Sequence, residues 1–308
     1  MVPYLMALTA RVSRGLAKLD DQRRRRHAKF FRAAQLADGG FPGRDGCSDL
    51  YYTGFALRSL AVLGELDVDV ARAAANFLRQ HLTGRRSIID FFSLIYGAAV
   101  LESAASVDVF EDQSPLWREE VVRALEMLRR DDGGYAKGVE GAASSTYHTF
   151  LVLLCYELIE HSLADPERVV DFLMSQRSDD GGFREIRVQK RGATNPTAAA
   201  VASLKILQAM EDTVQEDVVE FLVEMQNEEG GLRANTRIPI ADLLSTFTGY
   251  LTLFDLEAAD QIDIVAALRY ANSLEEPNGG YRGAAWDEGV DVEYTFYGLG
   301  CAALLGTD

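Results

Sequence analysis

Cysteine is scarce in this chain, and its three copies, Cys47, Cys155 and Cys301, are odd in number and far apart. A disulfide framework needs paired, clustered cysteines, so this usage excludes a stapled scaffold and fits a reducing compartment, with the cytoplasm as the expected location. Positive charge is also in short supply: 31 Lys and Arg face 47 Asp and Glu, a formal net charge of −16. Such a surface repels nucleic acid and anionic membrane over most of its area, which excludes DNA or RNA as the expected partner. Long apolar runs are missing too. No stretch reaches the roughly 18 uncharged apolar residues of a transmembrane helix. The N-terminal segment Val2–Leu19 has an apolar stripe, but Arg11, Arg14 and Lys18 interrupt it where a signal peptide would be uniformly apolar. It is expected to form an amphipathic helix within a lead-in spanning residues 1–29.

What is present is an ordinary globular mixture, 48% hydrophobic and 25% charged, with ample material for a core. At 308 residues the chain could form two average domains or one large one. A repeat decides for one, over residues 30–308. Glycine pairs followed by an aromatic residue or leucine recur as Gly39-Gly40-Phe41, Gly133-Gly134-Tyr135, Gly181-Gly182-Phe183, Gly230-Gly231-Leu232 and Gly279-Gly280-Tyr281. The intervals are 94, 48, 49 and 49, so a degenerate unit, Thr83-Gly84-Arg85, belongs between the first two.

Ahead of each pair lies an amphipathic segment such as Trp117–Arg130 or Val214–Gln226. After it come a short loop and an almost wholly apolar segment. Aligned without gaps, those segments begin at Asp49, Asp90, Ser145, Asn195, Asp242 and Asp291. Asp, Ser and Asn accept hydrogen bonds from the free N–H groups of a first helical turn, so all six are expected to be N-caps. The glycines supply the positive φ that ends the preceding helix. A unit of this size cannot bury its own apolar face and must stack on its neighbours. Helices apolar nearly all round, such as Thr197–Leu204, belong in a buried inner ring. The expected fold is all-α: an (α/α)6 barrel of six helical-hairpin repeats with inner and outer helix rings.

The recurring glycine turn, the six-fold count and the Asp-x-x-[His/Tyr]-Thr start of the inner helices resemble the β subunits of protein prenyltransferases, within the terpenoid cyclase α/α-barrel superfamily. The closing segment Asp291-Val-Glu-Tyr-Thr-Phe-Tyr-Gly-Leu-Gly-Cys looks most like the Rab geranylgeranyltransferase type. The resemblance implies a barrel with an aromatic isoprenoid tunnel, diphosphate bound at one rim, and a partner α subunit of helical repeats. It also implies a catalytic zinc held by Asp-x-Cys and a His. The matching positions here are Asp242, Leu244 and Tyr294, and a leucine does not ligate metal. No cofactor is therefore expected, since neither zinc nor magnesium has an intact ligand motif. Asp45-Gly-Cys47 lies in a loop of the first repeat with no His at metal spacing. The protonating Asp-x-Asp-Asp motif of the cyclase branch is absent.

Asp242, Tyr294 and His148 are the candidate catalytic residues, with His148 alternatively an interior hydrogen-bonded histidine. The five loops between the glycine pairs and the inner helices hold 9 basic and 5 acidic residues, against 22 and 42 elsewhere. Basic loops beside inner-helix N-termini favour an anion. The candidate diphosphate ligands are Arg184, Arg187, Lys190, Arg191, Arg233 and Arg237. Tyr51, Tyr52, Phe92, Tyr147, Phe296 and Tyr297 are the candidate tunnel lining. The function that follows is a prenyltransferase-like barrel that binds an isoprenoid diphosphate. The alternatives are a non-catalytic barrel binding a lipid or a protein, and a short terpenoid cyclase whose acid would be Asp242, Asp291 or Glu293.

Overall fold

A computed structural model of the chain describes residues 3–83 and 87–306. Thirteen α-helices appear among them. The first, α1 (Tyr4–Leu16), precedes six outer–inner pairs. These are α2 (Asp21–Ala34) with α3 (Leu50–Leu63), α4 (Val68–Gln80) with α5 (Ile88–Ala105), and α6 (Trp117–Glu126) with α7 (Thr146–Leu158). The last three are α8 (Pro166–Ser175) with α9 (Thr194–Ile206), α10 (Asp212–Glu224) with α11 (Leu243–Asp255), and α12 (Ile264–Ser273) with α13 (Val292–Leu305). Of the sequence landmarks, Val2 and the degenerate turn at Gly84-Arg85 lie outside the described residues.

The helices gather into two compact units. In one, formed by residues 1–4 and 119–273, α7, α9 and α11 pack side by side in that order, with α8 and α10 on their outer side. In the other, formed by residues 5–118 and 274–308, α3 packs between α5 and α13, with α2 and α4 outside. The inner helices are the buried ones: twelve of the fourteen residues of α13 are buried, whereas α10 buries only Val214, Val218, Val219, Phe221 and Leu222. The helix longest and most apolar by composition, α5, carries Asp90 and Glu102 and packs between α3 and α4.

The expected boundary at residue 30 falls inside α2, which packs on α3 as the outer helix of the first repeat. The extra N-terminal element is α1 alone, which lays Gly15 against Ala303 of α13, closely enough that a Cβ there would meet a backbone carbonyl.

The turn between outer and inner helices shows why the glycines recur. Gly133 has φ +92°, and a Cβ on it would lie 2.2 Å from the Arg168 carbonyl of α8. Gly134 is in contact with the Phe172 ring, which leaves no room for a side chain. The same pair meets α4 at Ala73 and Phe77, α10 at Asp217 and Phe221, α12 at Ala266 and Tyr270, and α2 at Arg26 and Phe30. These glycines do not end the outer helix, as the sequence suggested: α8 stops at Ser175, six residues before Gly181. Their role is to let each turn touch the next outer helix.

A second regularity fixes the register. The backbone N–H of the residue after each pair donates to a threonine hydroxyl one turn into the inner helix: Phe41 to Thr53, Tyr135 to Thr149, Phe183 to Thr197, Leu232 to Thr246 and Tyr281 to Thr295. The gap-free alignment is corrected at two repeats, at one of them by this threonine column. Thr197 stands four residues after Ala193, so Ala193, not Asn195, is the N-cap of α9. In the second repeat the cap is Ser87, and Asp90 sits in the first turn, accepting from the Ser87 hydroxyl while its own N–H donates back. Asp49, Ser145, Asp242 and Asp291 cap their helices as expected.

Candidate functional site

In the unit containing α7, α9 and α11, the loops 183–194 and 232–241 form a groove of about 570 Å³ lined by Val188, Gln189, Lys190, Arg191, Gly192, Ala193, Asn235 and Arg237. The Arg191 guanidinium donates to Thr236 Oγ1 and ties the two loops together. Lys190 and Arg237 are exposed, and among the described residues their side chains have no hydrogen-bond or ion-pair partner. Three of the six expected diphosphate ligands thus meet in one place. Arg187 is exposed on the same loop but does not line the groove.

Arg184 and Arg233 differ. Arg184 donates to the Ser175, Gln176 and Arg177 carbonyls at the end of α8, and Arg233 to the Glu224 and Met225 carbonyls at the end of α10. Cationic donors satisfy the orphan carbonyls of a helix C-terminus. Both residues follow directly on the glycine turn and are anchors of it, so as diphosphate ligands they are displaced by this structural role.

The groove ends at the start of α9, whose N-cap Ala193 makes no side-chain hydrogen bond. Each other inner helix has a side-chain acceptor at this position. At α7 a buried carboxylate is added: Ser145 Oγ donates to Glu185, whose pKa is raised by burial. At α11, Asp242 accepts from Ser245 N at 2.7 Å and Ser245 Oγ at 2.8 Å. Among the described residues, the α9 terminus combines a helix's partial positive charge with nearby cations and no side-chain acceptor in the capping position.

His148, on α7, has Nδ1 buried without a hydrogen-bond partner among the described residues, and burial, aided by Lys137, pushes its pKa down to about 4. It is therefore neutral at physiological pH, beside Tyr147 at 6.2 Å between rings. The interior hydrogen-bonded histidine is thus not what the structure shows.

In the other unit the aromatic residues of α3, α5 and α13 form a connected cluster. Tyr51 packs edge-on against Tyr52 and Phe55, with centroids at 5.5 and 4.9 Å. Phe55 touches Phe296 and Tyr297 at 5.5 and 5.3 Å. Tyr294 joins through Tyr297 at 6.0 Å, and Phe92 pairs with Tyr96 at 5.5 Å. Of the six expected lining residues, five belong to this unit and Tyr147 to the first.

Two participants, Arg58 and Arg44, were missed in the sequence, and a third, Glu293, was read only as a candidate cyclase acid. Arg58 stacks its guanidinium over Phe55 at 3.9 Å and over Tyr96 and Phe296 at 5.1 Å each. Glu293 accepts from the Tyr51 hydroxyl at 2.6 Å, and burial raises its pKa. Arg44, counted only as a rim charge, bridges Asp287 and Asp291, each at 2.7 Å. The Asp45-Gly-Cys47 loop leaves Cys47 exposed, whereas Cys155 and Cys301 are buried.

The donor set does not fit the zinc centre that the resemblance implies. Both Asp242 oxygens are engaged by Ser245, Leu244 offers no ligand atom, and among the described residues no three His, Cys, Asp or Glu side chains gather for a metal.

Six outer–inner helical hairpins joined by glycine turns, with apolar inner helices, define an all-α toroid-type repeat protein. The chain belongs to the Prenyltransferase alpha-alpha toroid domain family, which it matches over residues 4–208 and 193–308. It is 28% identical over 133 residues to the protein farnesyltransferase subunit beta of Schizosaccharomyces pombe, a match covering 42% of this chain and 34% of that protein. Only about a third of that relative is therefore spanned. Candida albicans protein geranylgeranyltransferase-I, solved with GGPP, shares the fold with a TM-score of 0.72 at 16% identity, over 90% of this chain and 89% of its own. The apo type II terpene cyclase MstE from Scytonema gives 0.59 at 14% identity, over 96% and 98%. At these identities the likeness is one of fold.

Proposed function

We propose that this chain binds an isoprenoid diphosphate as a prenyltransferase-type protein without the family's complete zinc site. The observation that carries this is the uncapped N-terminus of α9 in a groove with Lys190, Arg191 and Arg237. The Asn195 N–H, a helix dipole and the cations of Lys190, Arg191 and Arg237 together suit phosphate oxygens. A structural neighbour solved with GGPP supports the same ligand class. A helical-repeat α-type subunit is the partner class this reading implies.

Within it, the roles of the three candidate catalytic residues separate. Neutral His148 can accept a proton from an acceptor substrate. Asp242 holds the first turn of α11, and Tyr294 is part of the aromatic cluster.

The test is titration of wild type and the Lys190→Glu/Arg191→Glu variant with a farnesyl diphosphate analogue. Charge-assisted contacts contribute about 1.5–3 kcal/mol each, so reversing both charges lowers affinity well over tenfold. Equal affinities, or no binding by wild type, would overturn the reading.

A further inference from the structure

The unit built on α3, α5 and α13 holds a half-buried cation that no role above absorbs. Arg58 lies midway along α3, a helix buried on most of its surface, two turns beyond the rim. Its Nε donates to the Gly54 carbonyl at 3.0 Å, which fixes the plane of the guanidinium over Phe55. Among the described residues, its two terminal nitrogens have no hydrogen-bond or ion-pair partner. Glu293 is near enough for Arg58 to lower its pKa, yet the two do not pair, because the Glu293 carboxyl is held by Tyr51.

Stacking accounts for the position of this side chain but leaves its terminal donors without a protein partner among the described residues. A guanidinium over an aromatic face is stabilised by about 0.5–2 kcal/mol. Its outer edge still presents a planar pair of N–H groups, the geometry that matches a carboxylate. A purely apolar tunnel would have no use for such a group, since a leucine or methionine fills the same volume without the desolvation cost.

We propose that Arg58 binds the carboxylate of an amphipathic ligand whose hydrocarbon part packs on Phe55, Tyr96 and Phe296. The ligand class is an isoprenoid or similar apolar chain ending in a carboxylic acid. The inference is independent of the proposed function, since its polar anchor is a different residue on a different helix.

The experiment is calorimetric titration with three probes: a fifteen-carbon isoprenoid carboxylic acid, its methyl ester and the corresponding diphosphate. Wild type is expected to bind the acid at least tenfold more tightly than the ester. Arg58→Met should remove that preference while leaving the ester affinity unchanged, and Arg58→Lys should restore part of it. Thermal melts check that each variant is folded. Wild type binding acid and ester equally, or Arg58→Met weakening both alike, would show that Arg58 is a packing residue and overturn the proposal. The diphosphate arm keeps the two readings apart: Lys190→Glu/Arg191→Glu should weaken the diphosphate alone, and Arg58→Met the acid alone.

Discussion

The Thr149 hydroxyl accepts the buried Tyr135 N–H at 3.0 Å and donates to the Ser145 carbonyl at 2.8 Å, so one side chain joins the glycine turn to the first turn of α7. Thr149→Val keeps the shape and removes the acceptor. A buried N–H without a partner costs about 1–3 kcal/mol, so the variant should melt several degrees lower, and Thr149→Ser should recover most of the loss. Equal melting of wild type and Thr149→Val would mean that the bond does not set the register.

Gly133 and Gly138 lie five residues apart in the same turn region but in opposite surroundings. A Cβ at Gly133 would lie 2.2 Å from a backbone carbonyl, at φ +92°, whereas one at Gly138 meets nothing within 4 Å. Gly133→Ala should be severely destabilised or fail to accumulate as folded protein, and Gly138→Ala should stay within about 1 kcal/mol of wild type. Chemical denaturation of the pair gives the comparison, and similar midpoints would contradict the packing described.

How much of this was legible in the sequence follows from the same contacts. The glycine pairs could be seen because their requirement is steric and admits one residue type, and the inner helices because their burial excludes charge. The slip at Asn195 came from reading caps by residue type alone. Alanine at position 193 carries no capping signal, and the marker that fixes the register, Thr197, was visible but not used. Arg58 escaped because an arginine on an apolar helix shows its stacking partners only when α5 and α13 are brought beside α3. The contacts of Arg184 and Arg233 were not legible because charge composition does not distinguish a guanidinium facing solvent from one turned back on a helix C-terminus.

Glu275 joins α2 to the last glycine turn by accepting from Arg23, Arg26 and His27. Burial alone would raise its pKa, but the His27 hydrogen bond and the two arginines outweigh it and bring it to about 2. A carboxylate depressed in the folded state contributes stability that is present above its unfolded pKa and lost on acidification. The window here runs from about pH 4.5 down to about pH 2. Glu275→Gln should therefore be less stable than wild type at pH 7, by about 1–3 kcal/mol, and the difference should shrink as pH falls through that window. A stability gap independent of pH would show that the lost interaction is not the charge.

The α9 terminus offers a substitution that separates folding from binding. Ala193 has φ −140° and ψ 151°, close to the −142° and 161° of Asp242, so an aspartate fits the backbone without strain. Its carboxylate can accept from the Asn195 N–H, since Pro196 has none to donate, and supply the cap that α9 lacks. A new N-cap is worth about 0.5–2 kcal/mol, so Ala193→Asp should hold or raise the melting temperature. The same carboxylate places a negative charge where the diphosphate is proposed to bind, and beside Lys190 and Arg191 it would take up the cations the ligand needs. Diphosphate affinity should fall at least tenfold while the fold is unharmed. Ala193→Asn is the control, capping the helix without charge and leaving more of the affinity intact. If Ala193→Asp binds the diphosphate as tightly as wild type, the ligand does not use the start of α9, and the groove between the two loops is a surface feature only.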